Sequence, residues 1–273
     1  MHSYEHAAQE FVRLLEIMAR LRAPDGCPWD REQPIDTLKR HMLEETYELL
    51  DAIDRHDHDD LREELGDFLL QAVFIAQLES EAGHFSIADA ACAISDKLVR
   101  RHPHVFAREA GEPALETAAQ VKTRWEAIKN TERAGQTTPK TLLSGIPKTL
   151  PSLLRAHQIS ARAASVGFDW EQAAHVVDKM REEVEEISEA VAEHATAERV
   201  EEEIGDLLFA IANLARKLHV EPETALRKAN EKFTGRFTAM ETSIARSGRT
   251  MSDMTLDALE TEWAAVKGAE PRS

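Results

Sequence analysis

Glu183-Val184-Glu185-Glu186 and Glu203-Ile204-Gly205-Asp206 decide how this chain is read. Glu183 and Glu186 form one i,i+3 pair, and Glu203 and Asp206 form another. Residues three apart share a helix face, so each segment presents two acids to one point in space. On a helical wheel Val176, Met180, Ile187 and Val191 fall within about 60° of one another, and Glu183 shares that apolar stripe with Glu186 at its edge. Glu203 leads the row Leu207, Ala210, Leu214 on the facing segment. These acids point where a core belongs. A buried carboxylate must be protonated, ion-paired or on a metal, and a set made only of carboxylate oxygens suits a hard cation such as Mg²⁺ or Mn²⁺.

The same arrangement occurs earlier as Glu45/Glu48 and Glu64/Asp67, with Leu38, Met42, Leu49 and Ile53 as the stripe and Phe68, Gln71, Ile75 as the facing row. Glu45 and Glu48 precede Glu183 and Glu186 by 138 residues, whereas Glu64 and Asp67 precede Glu203 and Asp206 by 139. Gly66 matches Gly205, Trp125 matches Trp263 and Lys129 matches Lys267. Two tandem copies are the economical explanation. A glycine inside a helix costs about 1 kcal/mol against alanine, so Gly66 and Gly205 are expected to admit another backbone closely.

Outward from these segments the chain of 273 residues reads as all-α, because Ala, Leu and Glu dominate and no alternating Val/Ile/Thr run marks a strand. Helices are expected over 5–22, 35–55, 60–81, 86–102 and 117–130, then over 171–193, 197–218, 222–247 and 256–267. The segment 60–81 is apolar on all sides after Phe68 and is expected to be central. Two prolines and a glycine make Ala23 to Asp30 a loop, and Pro103 is expected to end its helix. Between Thr131 and Pro151 helical patterning is lost among Gly135, Pro139, Gly145 and Pro147. The division is 1–133, a linker at 134–150, and 151–273.

A net charge of −17 opposes nonspecific nucleic-acid binding and adhesion to a membrane surface, since both partners are polyanions. No apolar run is long enough to span a bilayer, and the opening segment lacks the basic-then-apolar pattern of a signal peptide. Cys27 and Cys92 are too few for a disulfide scaffold, which suits the cytoplasm. Lys228, Lys232 and Arg236 form one basic row that suits a polyanionic substrate. Trp263 and Lys267 lie one turn apart, and Trp263 is either core or a platform for a base whose phosphate meets the amine. A di-iron bundle needs Glu-x-x-His motifs from two helices, and only Glu81 to His84 has that spacing. No histidine is read as a ligand, and Cys27 is read as structural.

Gly26-Cys27-Pro28-Trp29-Asp30, Leu43 to Glu48, Glu64-Leu65-Gly66-Asp67, Arg101 to Phe106, Gly167-Phe168-Asp169-Trp170, Glu203-Ile204-Gly205-Asp206 and Lys228 to Phe233 together resemble the MazG family. These are nucleoside triphosphate pyrophosphohydrolases of the all-α NTP pyrophosphatase superfamily, and the resemblance spans nearly the whole chain. It implies Mg²⁺-dependent hydrolysis of NTPs and dNTPs to monophosphate and pyrophosphate, in a homodimer. It makes Glu183, Glu186, Glu203 and Asp206 metal ligands, with Glu45, Glu48, Glu64 and Asp67 as a second possible set. Lys179, Arg199, Asn230, Lys232, Arg236, Trp263 and Lys267 become substrate-binding positions, and Lys228 joins them from the basic row. Glu182, beside Glu183, is the candidate to orient or deprotonate the attacking water. The copies differ around the acids: the cations Lys179, Arg199 and Lys228 correspond to His41, Asp60 and Ala93, and Asn230 corresponds to Ser95. The second half is therefore expected to be the main site, with the first structural, regulatory or differently specific. The competing reading is a noncatalytic acidic helical dimer that scaffolds an unknown protein partner, but a scaffold has no need of acids within an apolar stripe.

Overall fold

Two histidines in the left-handed region, His56 (φ 55°) and His194 (φ 54°), turn the chain back on itself at equivalent points. The computed structural model describes residues 2–107, 117, 120–121, 124–125, 128 and 141–269. The chain divides into two compact units, Met1–Gly135 and Gln136–Ser273. No strand occurs among the described residues, and none of their helices is long and apolar enough to cross a membrane.

The first unit runs α1 (His2–Arg22), α2 (Pro28–Glu32), α3 (Ile35–Arg55), α4 (His58–Glu81), α5 (Ile87–Arg101) and α6 (Pro103–Phe106). His56 ends α3, and Asp57 caps α4 by accepting from the amides of Asp59 and Asp60. The α3–α4 hairpin forms one wall of a core of Met18, Leu38, Val73 and Phe74, which α1 closes with Phe11, Leu14 and Leu15. Arg22 locks its rim: Nη2 lies 2.6 Å from Glu81, Nη1 donates to the Asp30 carbonyl, and the guanidinium stands 5.6 Å over the Phe74 ring.

The second unit runs α7 (Ser152–Ala164), α8 (Ala173–Ala192), α9 (Ala197–Lys217), α10 (Pro222–Arg246), a 3₁₀ turn (Met251–Asp253) and α11 (Leu256–Ala269). Thr196 caps α9 through the Arg199 amide. Helices α8 and α9 form the principal hairpin, α7 packs on α9, and α11 packs on α10. Val176, Ala190, Ala212, Met240 and Ile244 are buried in its core. Asp169, from the Gly167-Phe168-Asp169-Trp170 motif, accepts from Arg216 and lies 2.8 Å from Lys217, whose amine also donates to the Trp170 carbonyl. This clamp ties the entry of α8 to the exit of α9.

The structure departs from the expected elements at five points. Pro28 opens the short helix α2, because a proline at the first helical position forfeits an amide that has no partner there anyway. The helix α5 does stop before Pro103, at Arg101, but after His102 the proline opens a short helix, α6, for the same reason. Helix α7 lies where no helix was expected; Pro151 and a short Ala- and Ser-rich stripe concealed it. In α4 burial is confined to Gln71, Val73, Phe74 and Ala76, and Leu69 is exposed, so that helix is not enclosed on all sides. Gly66 and Gly205 meet nothing within 4 Å of a built Cβ, so among the described residues no backbone approaches them. The helix expected over 117–130 lies mostly outside the described residues, as does Lys129; Trp125 is described, half-buried, with its ring 4.8 Å from His102.

Asp169 is held below its ordinary value: burial pushes it up, but Lys217 and Arg216 outweigh that. Asp169→Asn is therefore expected to cost about 1.5–3 kcal/mol, the usual worth of a hydrogen bond to a charged group. Urea unfolding at neutral pH measures it; an unchanged midpoint would mean that the clamp contributes nothing.

Candidate functional site

The acids meet because of where the turns fall. Glu183 is as far before the His194-Ala195 turn as Asp206 is after it, and Glu186 matches Glu203 in the same way. In an antiparallel hairpin with 1.5 Å rise per residue, equal distance from the turn means equal height. Glu45 with Asp67, and Glu48 with Glu64, obey the same symmetry about His56. The one extra residue in the second turn accounts for the change of offset between copies from 138 to 139.

In the second unit, carboxylate oxygens of Glu183, Glu203 and Asp206 lie within 4.8 Å of one another. Glu183 is 4% exposed, Glu203 is half-buried and Asp206 is exposed. Glu186 falls outside that tight group but lines the same cleft of about 500 Å³, with Lys179, Glu198, Arg199 and Glu202. In the first unit the oxygens within 4.8 Å belong to Glu45, Glu48 and Glu64, and Asp67 lies outside that group. The stripes lose burial towards the turns: Val176 is fully buried and Val191 is 60% exposed.

One oxygen of Glu183 lies 2.9 Å from the Lys179 amine, which also donates to Glu182 at 2.6 Å. The other, Oε2, is buried with no hydrogen-bond partner. An unmet buried carboxylate oxygen is costly, and Glu183 lines a cleft whose candidate metal-ligating side chains are all carboxylates. That donor set fits a hard divalent cation. Arg199 lies 3.6 Å from Glu203. Glu182 and Glu183 hold Lys179 well above the usual amine range.

The remaining expected positions lie elsewhere on the unit. Lys228, Asn230 and Lys232 are exposed on α10, and Arg236 is half-buried there. Trp263 is half-buried, its ring 5.1 Å from Phe233, and Lys267 is exposed on α11. None of these six lines the acid cleft among the described residues. Glu198 and Glu202 also line the cleft, and the sequence reading does not single them out. The two ion pairs were legible as i,i+4 spacings, Lys179 to Glu183 and Arg199 to Glu203.

Comparison with known proteins adds a family. A model described as the MazG nucleotide pyrophosphohydrolase domain matches residues 33–106 and 163–239. The chain is 51% identical to the Escherichia coli (strain K12) nucleoside triphosphate pyrophosphohydrolase, over 94% of this chain and 97% of that one. It is 41% identical to the Thermotoga maritima nucleoside triphosphate pyrophosphohydrolase/pyrophosphatase MazG, over 95% and 96%. A crystal structure of a mazG-related protein from Thermotoga maritima is 27% identical, covers 43% of this chain and 97% of its own, and gives a TM-score of 0.37.

Burial, with Glu183 close by, pushes Glu186 above its ordinary 4.5, and Lys179 offsets part of this. A raised carboxylate pKa means that the folded protein holds the proton more tightly than the unfolded chain does, so stability falls as pH rises through the window from the ordinary to the raised value. In chelator, Glu186→Gln is expected to match the native chain below that window and to be the more stable above it. Urea midpoints across the carboxylate range decide this; a gap that does not widen with pH would contradict it.

Proposed function

Because the chain belongs to the MazG nucleotide pyrophosphohydrolase family, we propose that it hydrolyses nucleoside and deoxynucleoside triphosphates to monophosphate and pyrophosphate at the acid cleft of its second unit. The observation that carries the choice of site is the orphaned, buried Oε2 of Glu183 among hard oxygen donors. Glu183, Glu186, Glu203 and Asp206 would hold Mg²⁺, with Mn²⁺ a suitable substitute. A divalent cation bound there supplies the charge that makes an attacking water acidic. Glu182, exposed beside Glu183, accepts the proton of that water or orients it towards the α-phosphorus. Lys179 and Arg199 neutralise the triphosphate at the cleft.

Lys228, Asn230, Lys232, Arg236, Trp263 and Lys267 complete substrate recognition: the cations take the leaving pyrophosphate, and Trp263 takes the base. Their position away from the acid cleft of their own unit supports a working dimer. So do the exposed apolar side chains on both hairpins, Leu43, Tyr47, Leu65 and Leu69 on one and Val184, Ile204 and Leu208 on the other, because faces of this kind call for a partner. Cys27 and Cys92 are unpaired, which suits the cytoplasm.

The first unit carries a parallel set of acids, but His41 and Asp60 stand where the second has Lys179 and Arg199. Each charge-assisted phosphate contact is worth roughly 1.5–3 kcal/mol, so losing two weakens binding by about a hundredfold or more. Glu186→Gln with Asp206→Asn is expected nearly to silence pyrophosphate release from dNTPs at saturating Mg²⁺. Glu48→Gln with Asp67→Asn leaves most of it. Equal losses would make the two sites equivalent, and full activity in chelator would remove the metal from the mechanism.

A further inference from the structure

The cations of the second-unit cleft already occupy the carboxylates that the proposed function gives to a metal. Lys179 holds Glu183 at 2.9 Å, and Arg199 reaches Glu203 at 3.6 Å, each from one turn towards the N-terminus on the same helix. A divalent cation and a lysine amine compete for the same lone pairs. With no metal bound, Lys179 provides the counter-charge that a carboxylate only 4% exposed requires. Neither cation is entombed: the Lys179 side chain is 34% exposed and that of Arg199 is 55% exposed. Lysine is a point charge on a flexible stem, free to swing towards a triphosphate while Glu182, 2.6 Å away, remains a second acceptor.

The first unit lacks this device. His41 leans on Glu44 at 3.3 Å, and Asp60 is itself an acid, paired with Arg55. So no lysine or arginine stands one turn before any of its clustered acids, Glu45, Glu48 and Glu64.

We propose that Lys179 and Arg199 are exchangeable counter-ions of the second-unit acids, opposing divalent cations until a triphosphate draws them off, so that cation and nucleotide bind there cooperatively, whereas the first-unit acids take a divalent cation alone. This rests on the reading of the second cleft as a metal and nucleotide site. Coupling between two ligands is reciprocal, so whatever the nucleotide adds to cation affinity the cation adds to nucleotide affinity. The second cleft then remains largely empty of metal at rest and fills only with substrate.

The test is Mn²⁺ binding to the full chain, followed by calorimetry and by the electron paramagnetic resonance of free Mn²⁺. Without nucleotide two classes of site are expected, a tighter one abolished by Glu45→Gln and a weaker one abolished by Glu183→Gln. Lys179→Met with Arg199→Met should tighten the weaker class on the order of tenfold, within the usual range of ligand coupling. Lys179→Arg, which keeps the charge, should leave it near the native value. Adding a nonhydrolysable α,β-methylene deoxyadenosine triphosphate should tighten the native second site and add little in the double methionine variant. Mn²⁺ affinity that is unchanged or weaker in that variant, or equal at both clusters of the native chain, overturns the exchange while leaving the metal site standing. Binding that Glu183→Gln does not diminish overturns both the exchange and the metal reading beneath it.

Discussion

The structure is governed by the cost of a carboxylate inside a helical hairpin. Glu183 sits at 4% exposure among side chains that an apolar stripe would normally fill, and each oxygen must find charge or a donor. One has Lys179; the other has nothing. Leucine would pack there without penalty, so local stability is given up in order to keep an acid at that point. The Thr196 cap and the Asp169 clamp on Arg216 and Lys217 fasten the two ends of the helices that carry the acids.

The two units share the acid-bearing helical hairpin and differ in the residues that stand one turn before the acids. Both reverse direction through a left-handed histidine, and both set their acids symmetrically about that turn. A polar residue with some tolerance for positive φ suits such a position, which explains two of the histidines that had no role as ligands. In the second unit basic residues one turn away answer two of the acids. In the first, the equivalent positions hold His41, close to Glu44, and Asp60, itself an acid. The family relationship covers both halves, so the divergence lies in the cations around the acids and not in the acids themselves.

The Asp-containing motifs show how a sequence signature can be structural. Gly167-Phe168-Asp169-Trp170 adds no side chain to the acid cleft; Asp169 joins the start of one hairpin helix to the end of the other. In the first unit Arg22 has the corresponding part, gripping Glu81 and the Asp30 carbonyl. Such contacts affect the site only through the relative height of α8 and α9, or of α3 and α4.

The helical class, the two copies and the facing acid pairs were legible in the sequence because they depend on periodicity, and a period of 3.6 residues is a local property. The i,i+4 spacing of Lys179 with Glu183 was equally local. Other features needed the folded chain. Helix α7 is short and flanked by proline, so only packing on α9 identifies it. That Glu183 is buried while Asp206, on the facing helix, is exposed depends on which neighbours cover each end of the hairpin. Gly205 looked like a point of close approach, yet nothing within its own unit comes near it. The row from Lys228 to Arg236 suits a polyanionic substrate, but among the described residues it lies outside the acid cleft of its unit. Sequence determined which residues share a helix face; tertiary structure decided what each face meets, because burial and proximity are set by elements far away along the chain.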